Sequence, residues 1–156
     1  MVQKRGAVLG KKIAIGCDPN AADLKKYVIE ELENLGYEYT DFGSDDPIYA
    51  NVAFAVGEAV AAGEYWRGIL FCGTGIGVSI AANKVKGVYA ALVSDAYSAE
   101  RAAKSNNANV ITMGAQVTGY KVAQTLTRIW LESEFTEGTR SQPKVDRITE
   151  YDKTGK

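Results

Sequence analysis

The sequence predicts an α/β fold: a three-layer, doubly wound, Rossmann-like domain around a five-stranded parallel sheet. Three observations predict it. Short β-rich apolar runs alternate with longer segments of helical period along nearly the whole chain. Gly, Asp and Asn stand at the junctions, where turns need them. The length, 156 residues, suits a single core, so the strands join one sheet through right-handed crossovers.

The elements follow in order. Residues 12–17, KIAIGC, form the first strand. Residues 21–36 place Leu24, Val28, Ile29, Leu32 and Leu35 on one helical face, with Gly36 as the stop. Residues 37–43, YEYTDFG, alternate as a second strand, and 48–63 form a helix closed by Gly63. Residues 67–73, RGILFCG, read as a buried strand, and 77–87 as a short helix. A strand at 88–94, a helix at 96–107, a strand at 108–114 and a long amphipathic helix at 119–135 complete the alternation. The polar segment from Ser141 ends as a partly frayed helix. Residues 1–11 read as a flexible leader, 12–150 as the single domain and 151–156 as a tail.

Composition narrows the function. Net charge is −1, which offers no field for a nucleic-acid or anionic-membrane partner. No apolar run reaches the roughly 18 residues of a membrane helix, and the start is too short in apolar residues for a secretory signal. The chain reads as cytoplasmic, with Cys17 and Cys72 as free thiols. It contains no histidine. That excludes Ser-His-Asp and Cys-His catalysis and argues against a zinc enzyme. Proton transfer falls to Cys, Asp, Glu, Lys, Tyr or water.

In a doubly wound fold, ligands bind at the carboxyl ends of the strands. Those ends carry CDPN, DFGSDDP, CGTGIG, SDAYS and MGAQ. Gly73, Gly75 and Gly77 give G-x-G-x-G, which is neither the dinucleotide fingerprint nor a P-loop. What remains is a strand-to-helix turn whose N–H groups converge as an oxyanion hollow. Cys72 stands on its lip, where a positive helix end favours thiolate, and Thr74 can donate within the hollow. A tight turn after a buried strand, with a packed cysteine, explains the same residues as well. Cys17 reads as a core thiol. Asp18 and Asn20, around Pro19, read first as a helix cap. Tyr49, in DDPIYA, starts a helix or closes a pocket wall. Asn106, Asn107 and Asn109 suit a turn or hydroxyl recognition. Arg140, Lys144 and Arg147 read by themselves as a solvated tail, and otherwise as a phosphate clamp on a mobile segment.

Taken together, KIAIGCD, DFG…DDP.YA, GIL.CGTGIG.SIAANK..G, A.LVSD.YSA, NNANV and R.Q.KVD resemble the type B ribose-5-phosphate isomerases and the related galactose-6-phosphate isomerase subunits. The resemblance covers roughly residues 12–150. It implies aldose–ketose isomerisation of a phosphosugar with no metal or organic cofactor, in a homodimer or dimer of dimers with sites at the subunit interface. It assigns Cys72 as the base that moves a proton between C1 and C2 through a cis-enediolate. Thr74 would assist, and the N–H groups of Gly73, Gly75, Ile76 and Gly77 would stabilise the enediolate oxygens. Asp18 would bind hydroxyls, Asn106 the substrate and Arg140 the phosphate. Asn20, Tyr49, Ser105 and Lys144 complete the expected substrate contacts.

The departures from the family are specific. Pro19 stands where the family usually has histidine after CD. Ser105 stands where it has the histidine assigned to opening the sugar ring. Gln116, Ser141 and Lys144 occupy positions often held by arginine or histidine for phosphate. Ribose 5-phosphate is mostly a furanose and must open first. A tetrose 4-phosphate cannot close that ring, because its O4 carries the phosphate. The sequence therefore raises erythrose/erythrulose 4-phosphate as a substrate beside ribose 5-phosphate. A non-catalytic sugar-phosphate-binding subunit is the alternative, although binding alone needs no thiol base.

Overall fold

The computed structural model describes residue 8 and residues 10–156. Five strands, β1 (Ile13–Cys17), β2 (Tyr39–Asp41), β3 (Arg67–Cys72), β4 (Ala90–Leu92) and β5 (Val110–Gly114), form one parallel sheet in the order β2-β1-β3-β5-β4. Six helices accompany them: α1 (Ala22–Leu35), α2 (Tyr49–Ala61), α3 (Ile76–Ala82), α4 (Ala96–Lys104), α5 (Tyr120–Leu131) and α6 (Gln142–Thr154).

The period-2 alternation of the strands explains the two faces. Ile13, Ile15, Cys17, Ile69, Phe71, Ile111 and Met113 point one way and pack with Leu24, Val28, Leu32, Ala99, Ala103, Leu126 and Trp130. This is the α1/α4/α5 layer. Ala14, Leu70, Cys72 and Val110 point the other way, against Val52, Val56, Val60, Val78 and Ala82 of α2 and α3. The three central strands are fully buried, as continuous apolar runs in a parallel sheet require. Cys72 therefore faces the α2/α3 layer, and Cys17 the other.

The chain leaves β1 toward β2 on one side and returns to β3 on the other. The crevice between the carboxyl ends of β1 and β3 is thus a topological switch point, where ligands bind in such folds.

Several boundaries differ from expectation. The strand expected at 88–94 is only Ala90–Leu92, because β4 is an edge strand with a single partner, β5. The helix expected at 77–87 begins at Ile76 and ends at Ala82, and turns carry the chain to Gly87. Tyr151–Thr154, expected in the tail, are helical. They continue α6, whose Asp152 accepts hydrogen bonds from Gly87 N (2.8 Å) and the Tyr89 hydroxyl (2.9 Å). The expected leader falls largely on residues 1–7 and 9, outside the described residues. Its described part is tied down: Val8 N donates to Gly36 O (3.0 Å), and Lys11 pairs with Glu134 (2.9 Å).

Candidate active site

The glycine turn is built by β3 and held by β5. Gly75 adopts φ +80°, and a Cβ there would lie 2.8 Å from the Met113 carbonyl carbon, so only glycine fits. The buried Thr112 hydroxyl donates to Gly75 O (2.7 Å). Ala115 N donates to Cys72 O and Gln116 N to Gly73 O, both at 2.9 Å. The Gln116 side chain also lies against Gly73. These bonds hold the cradle from β5 and the turn that follows it.

The left-handed turn at Gly75 folds its N–H back onto the strand end. Gly75 N donates to Cys72 Sγ at 3.2 Å, and Ile76 N donates to Thr74 Oγ1 at 3.2 Å. Two N–H groups expected at the enediolate oxygens thus meet the two candidate catalytic side chains instead. Cys72 is 5% exposed, whereas Thr74 is exposed at the mouth.

Gly114 closes the back of the cradle: a Cβ there would collide with the Thr74 backbone. We expect Gly114→Ala to push the cradle away from Cys72. Overpacking of this kind costs about 1–3 kcal/mol of stability, and a displaced site loses on the order of 10²-fold in kcat. Urea midpoints and initial rates check both.

The rim is contributed by β1 and α2. Asp18 is buried, and it caps the 3-10 turn Pro19–Ala21, accepting from Asn20 N (3.1 Å) and from Asn20 Nδ2 (3.3 Å). The cap reading of Asp18 holds: both carboxylate oxygens accept from Asn20, which is itself exposed. Tyr49 is the first residue of α2, and its ring covers Gly77, where a Cβ would meet it at 2.5 Å. It forms the wall over the cradle. Cys17 is a core thiol: burial, the dominant effect, pushes it up to about 12.

Ser105, Asn106, Arg140 and Lys144 lie elsewhere. Ser105 and Asn106 follow α4 at the amino-terminal edge of the sheet, just before Asn107 at φ +52° and the start of β5. Cys72 pairs with Gly114 at the other end of that strand, about 13 Å further along it at ~3.3 Å per residue. Asn106 lines a cavity of about 290 Å³ with Asn83, Tyr89, Val145 and Ile148. Arg140 sits in the exposed turn before α6, and Lys144 is exposed on its first turn, next to Val145 of that cavity. The expected phosphate clamp is therefore partly helical, since Pro143 at the helix start favours α6 there. Within one chain, nine of the expected residues gather at the carboxyl edge, and these four at the amino edge. Among the described residues, no group of three His, Cys, Asp or Glu side chains could hold a metal, and no helix is long and apolar enough to cross a membrane.

A parallel sheet with a cysteine-lipped glycine cradle at its switch point defines the class of protein, and comparison with known proteins gives the family. Residues 13–148 match the Ribose/Galactose Isomerase family model. The chain is 49% identical over 144 residues to the Ribose-5-P isomerase B of Listeria innocua, covering 90% of this chain and 97% of that one. It is 48% identical over 144 residues to the D-erythrulose-4-phosphate isomerase of Pectobacterium atrosepticum, covering 90% and 94%. The solved structure of Clostridium thermocellum Ribose-5-Phosphate Isomerase B superposes with a TM-score of 0.86 at 38% identity, over 93% of this chain and 99% of that one. The chain belongs to the Ribose/Galactose Isomerase family and is an aldose–ketose isomerase of the sugar-phosphate type.

Proposed function

We propose that the chain isomerises a short sugar phosphate without a cofactor, and that it prefers a tetrose 4-phosphate (erythrose/erythrulose 4-phosphate) to ribose 5-phosphate. The observation that carries this reading is Ser105. It stands where the family resemblance places a ring-opening histidine, in a chain with no histidine at all. A tetrose 4-phosphate needs no ring opening. Similarity alone does not rank the sugars, because relatives named for ribose 5-phosphate and for D-erythrulose 4-phosphate match almost equally.

In the proposed reaction the Cys72 thiolate takes the proton from the carbon beside the carbonyl. The electron pair of that C–H bond forms the C1–C2 double bond, and the carbonyl electrons move to oxygen, giving the cis-enediolate. Cys72 returns the proton to the other carbon, and Thr74 carries a proton between the oxygens. Asp18, with Asn20, receives substrate hydroxyls, and Tyr49 shields the cradle from water.

Asn106, Arg140, Lys144 and Ser105 serve the same reaction from a second copy. A two-fold axis places one copy's amino edge against the other's carboxyl edge, and repeats the arrangement in the second site. Exposed apolar side chains beside the cradle, Ile76 at 54% and Ile80 at 59%, support a covered face there. Arg140 then supplies a bidentate grip on the phosphate, and Lys144 a point charge.

The test is turnover of the purified chain alone over tetrose, pentose and hexose phosphates. Isomerisation, fastest on the tetrose 4-phosphates, is expected. Absence of turnover on every sugar, with sugar-phosphate binding retained, would mean a non-catalytic subunit.

A further inference from the structure

Among the described residues two cations are buried, Lys25 and Arg67. Arg67 stands at the amino end of β3, where its guanidinium caps the carbonyls of Trp130 (2.5 Å) and Ser133 (2.8 Å) at the end of α5. That accounts for it structurally. Lys25 is different. It sits in the first turn of α1, 5% exposed, on the carboxyl side of the sheet where the candidate site lies. Burying an ammonium is costly unless it is paired, and an aliphatic side chain would pack the same position without that cost.

Its partner is Asp41, the last residue of β2, at 2.8 Å. The same carboxylate oxygen accepts Gly43 N at 2.9 Å. Gly43 is at φ +108°, a conformation that glycine alone adopts readily. Gly43 O in turn accepts Cys17 N at 3.1 Å, one residue before Asp18. Beyond Gly43 the chain runs directly through 44–48 to Tyr49. One ion pair thus fixes a glycine turn attached on one side to Asp18 and on the other to Tyr49. The cradle with Cys72 is held separately, by Thr112, Ala115 and Gln116.

We propose that Lys25 is a positioning residue: through Asp41 and the Gly43 turn it sets the two substrate-binding walls, Asp18 and Tyr49, while the backbone bonds that hold Cys72 and its cradle come from elsewhere. This rests on the isomerase reading above. Binding and proton transfer are then built on separate supports, and the two kinetic constants separate them.

The experiment compares wild type, Lys25→Met, Asp41→Asn and the double variant in the assembled enzyme. It reads kcat and KM for erythrulose 4-phosphate, and Kd for 4-phospho-D-erythronate, which cannot isomerise. Asp41 is 40% exposed and stays hydrated when the ammonium goes, so Lys25→Met retains the fold, checked by its melting curve. The expected result is a rise in KM and Kd of about tenfold with kcat within about threefold of wild type. Asp41→Asn added to Lys25→Met should worsen KM little, because both remove one interaction. Wild-type KM and Kd in Lys25→Met, a fall confined to kcat, or fully additive variants would each overturn the proposal while leaving the isomerase reading standing. A wild-type protein that neither turns over a phosphosugar nor binds 4-phospho-D-erythronate would overturn that reading, and this one with it.

Discussion

Replacing Cys72 with alanine should abolish isomerisation, with kcat falling by about 10³-fold or more, at the upper end of what a positioned general base contributes. The reason is local. Cys72 ends a fully buried strand, so its Sγ has one fixed direction, toward the cradle, and Gly75 N–H is already aimed at it at 3.2 Å. The two nearest alternatives are committed elsewhere: Asp18 is occupied as a cap, and Cys17 points to the opposite face of the sheet. The variant should fold normally, because losing one small sulfur costs about 1 kcal/mol. Iodoacetate provides a companion measurement. It should label Cys72 and spare Cys17, whose burial holds it at about 12 and therefore neutral at pH 8. Bound substrate should protect Cys72. Retained turnover in Cys72→Ala would remove the cysteine from the mechanism.

The second large effect concerns the divided site. Arg140→Ala should lower kcat/KM by about 100-fold, the scale of a lost charge-assisted phosphate contact. Mixed with Cys72→Ala under conditions that allow subunits to exchange, it should recover activity. If each site takes Cys72 from one copy and Arg140 from the other, random pairing makes half of the dimers mixed. Each mixed dimer then has one intact site, so about a quarter of all sites return. Two nearly inactive proteins would gain at least tenfold on mixing. The gain has a geometric basis: Arg140 and Asn106 lie at the amino edge and Cys72 at the carboxyl edge of the same sheet. A mixture no more active than the sum of its parts would place all the working groups in one chain.

The layers, the parallel sheet and the position of the cradle were legible in the sequence because each depends on local pattern. Alternation in IAIGC and RGILFC, helical spacing in 21–36 and a glycine turn at a strand end are all short-range signals. The strand order was not legible. β5 inserts between β3 and β4, and only packing of α4 and α5 on one face decides that. The cap at Asp18 and the wall at Tyr49 followed from their places in the chain. The separation of Asn106 from Cys72 was implicit in the same alternation, since a helix that leads into a parallel strand ends at the amino edge of the sheet. The supports of the site were silent. Thr112 and Gly114 read as ordinary strand residues until β5 is seen beside β3. Lys25 reads as one of many helix lysines until its burial against Asp41 is seen. One signal for Gly114 was available, a glycine ending a strand, which often marks close backbone approach.

In the proposed function the missing ring-opening histidine sets the length of the sugar. The most direct measurement is kcat/KM of one purified preparation for D-erythrulose 4-phosphate and for ribose 5-phosphate under identical conditions. The structure and its histidine-free sequence predict a higher value for the tetrose, by about tenfold or more if ring opening carries a general-acid contribution. A value for ribose 5-phosphate equal to or above that for the tetrose would contradict it.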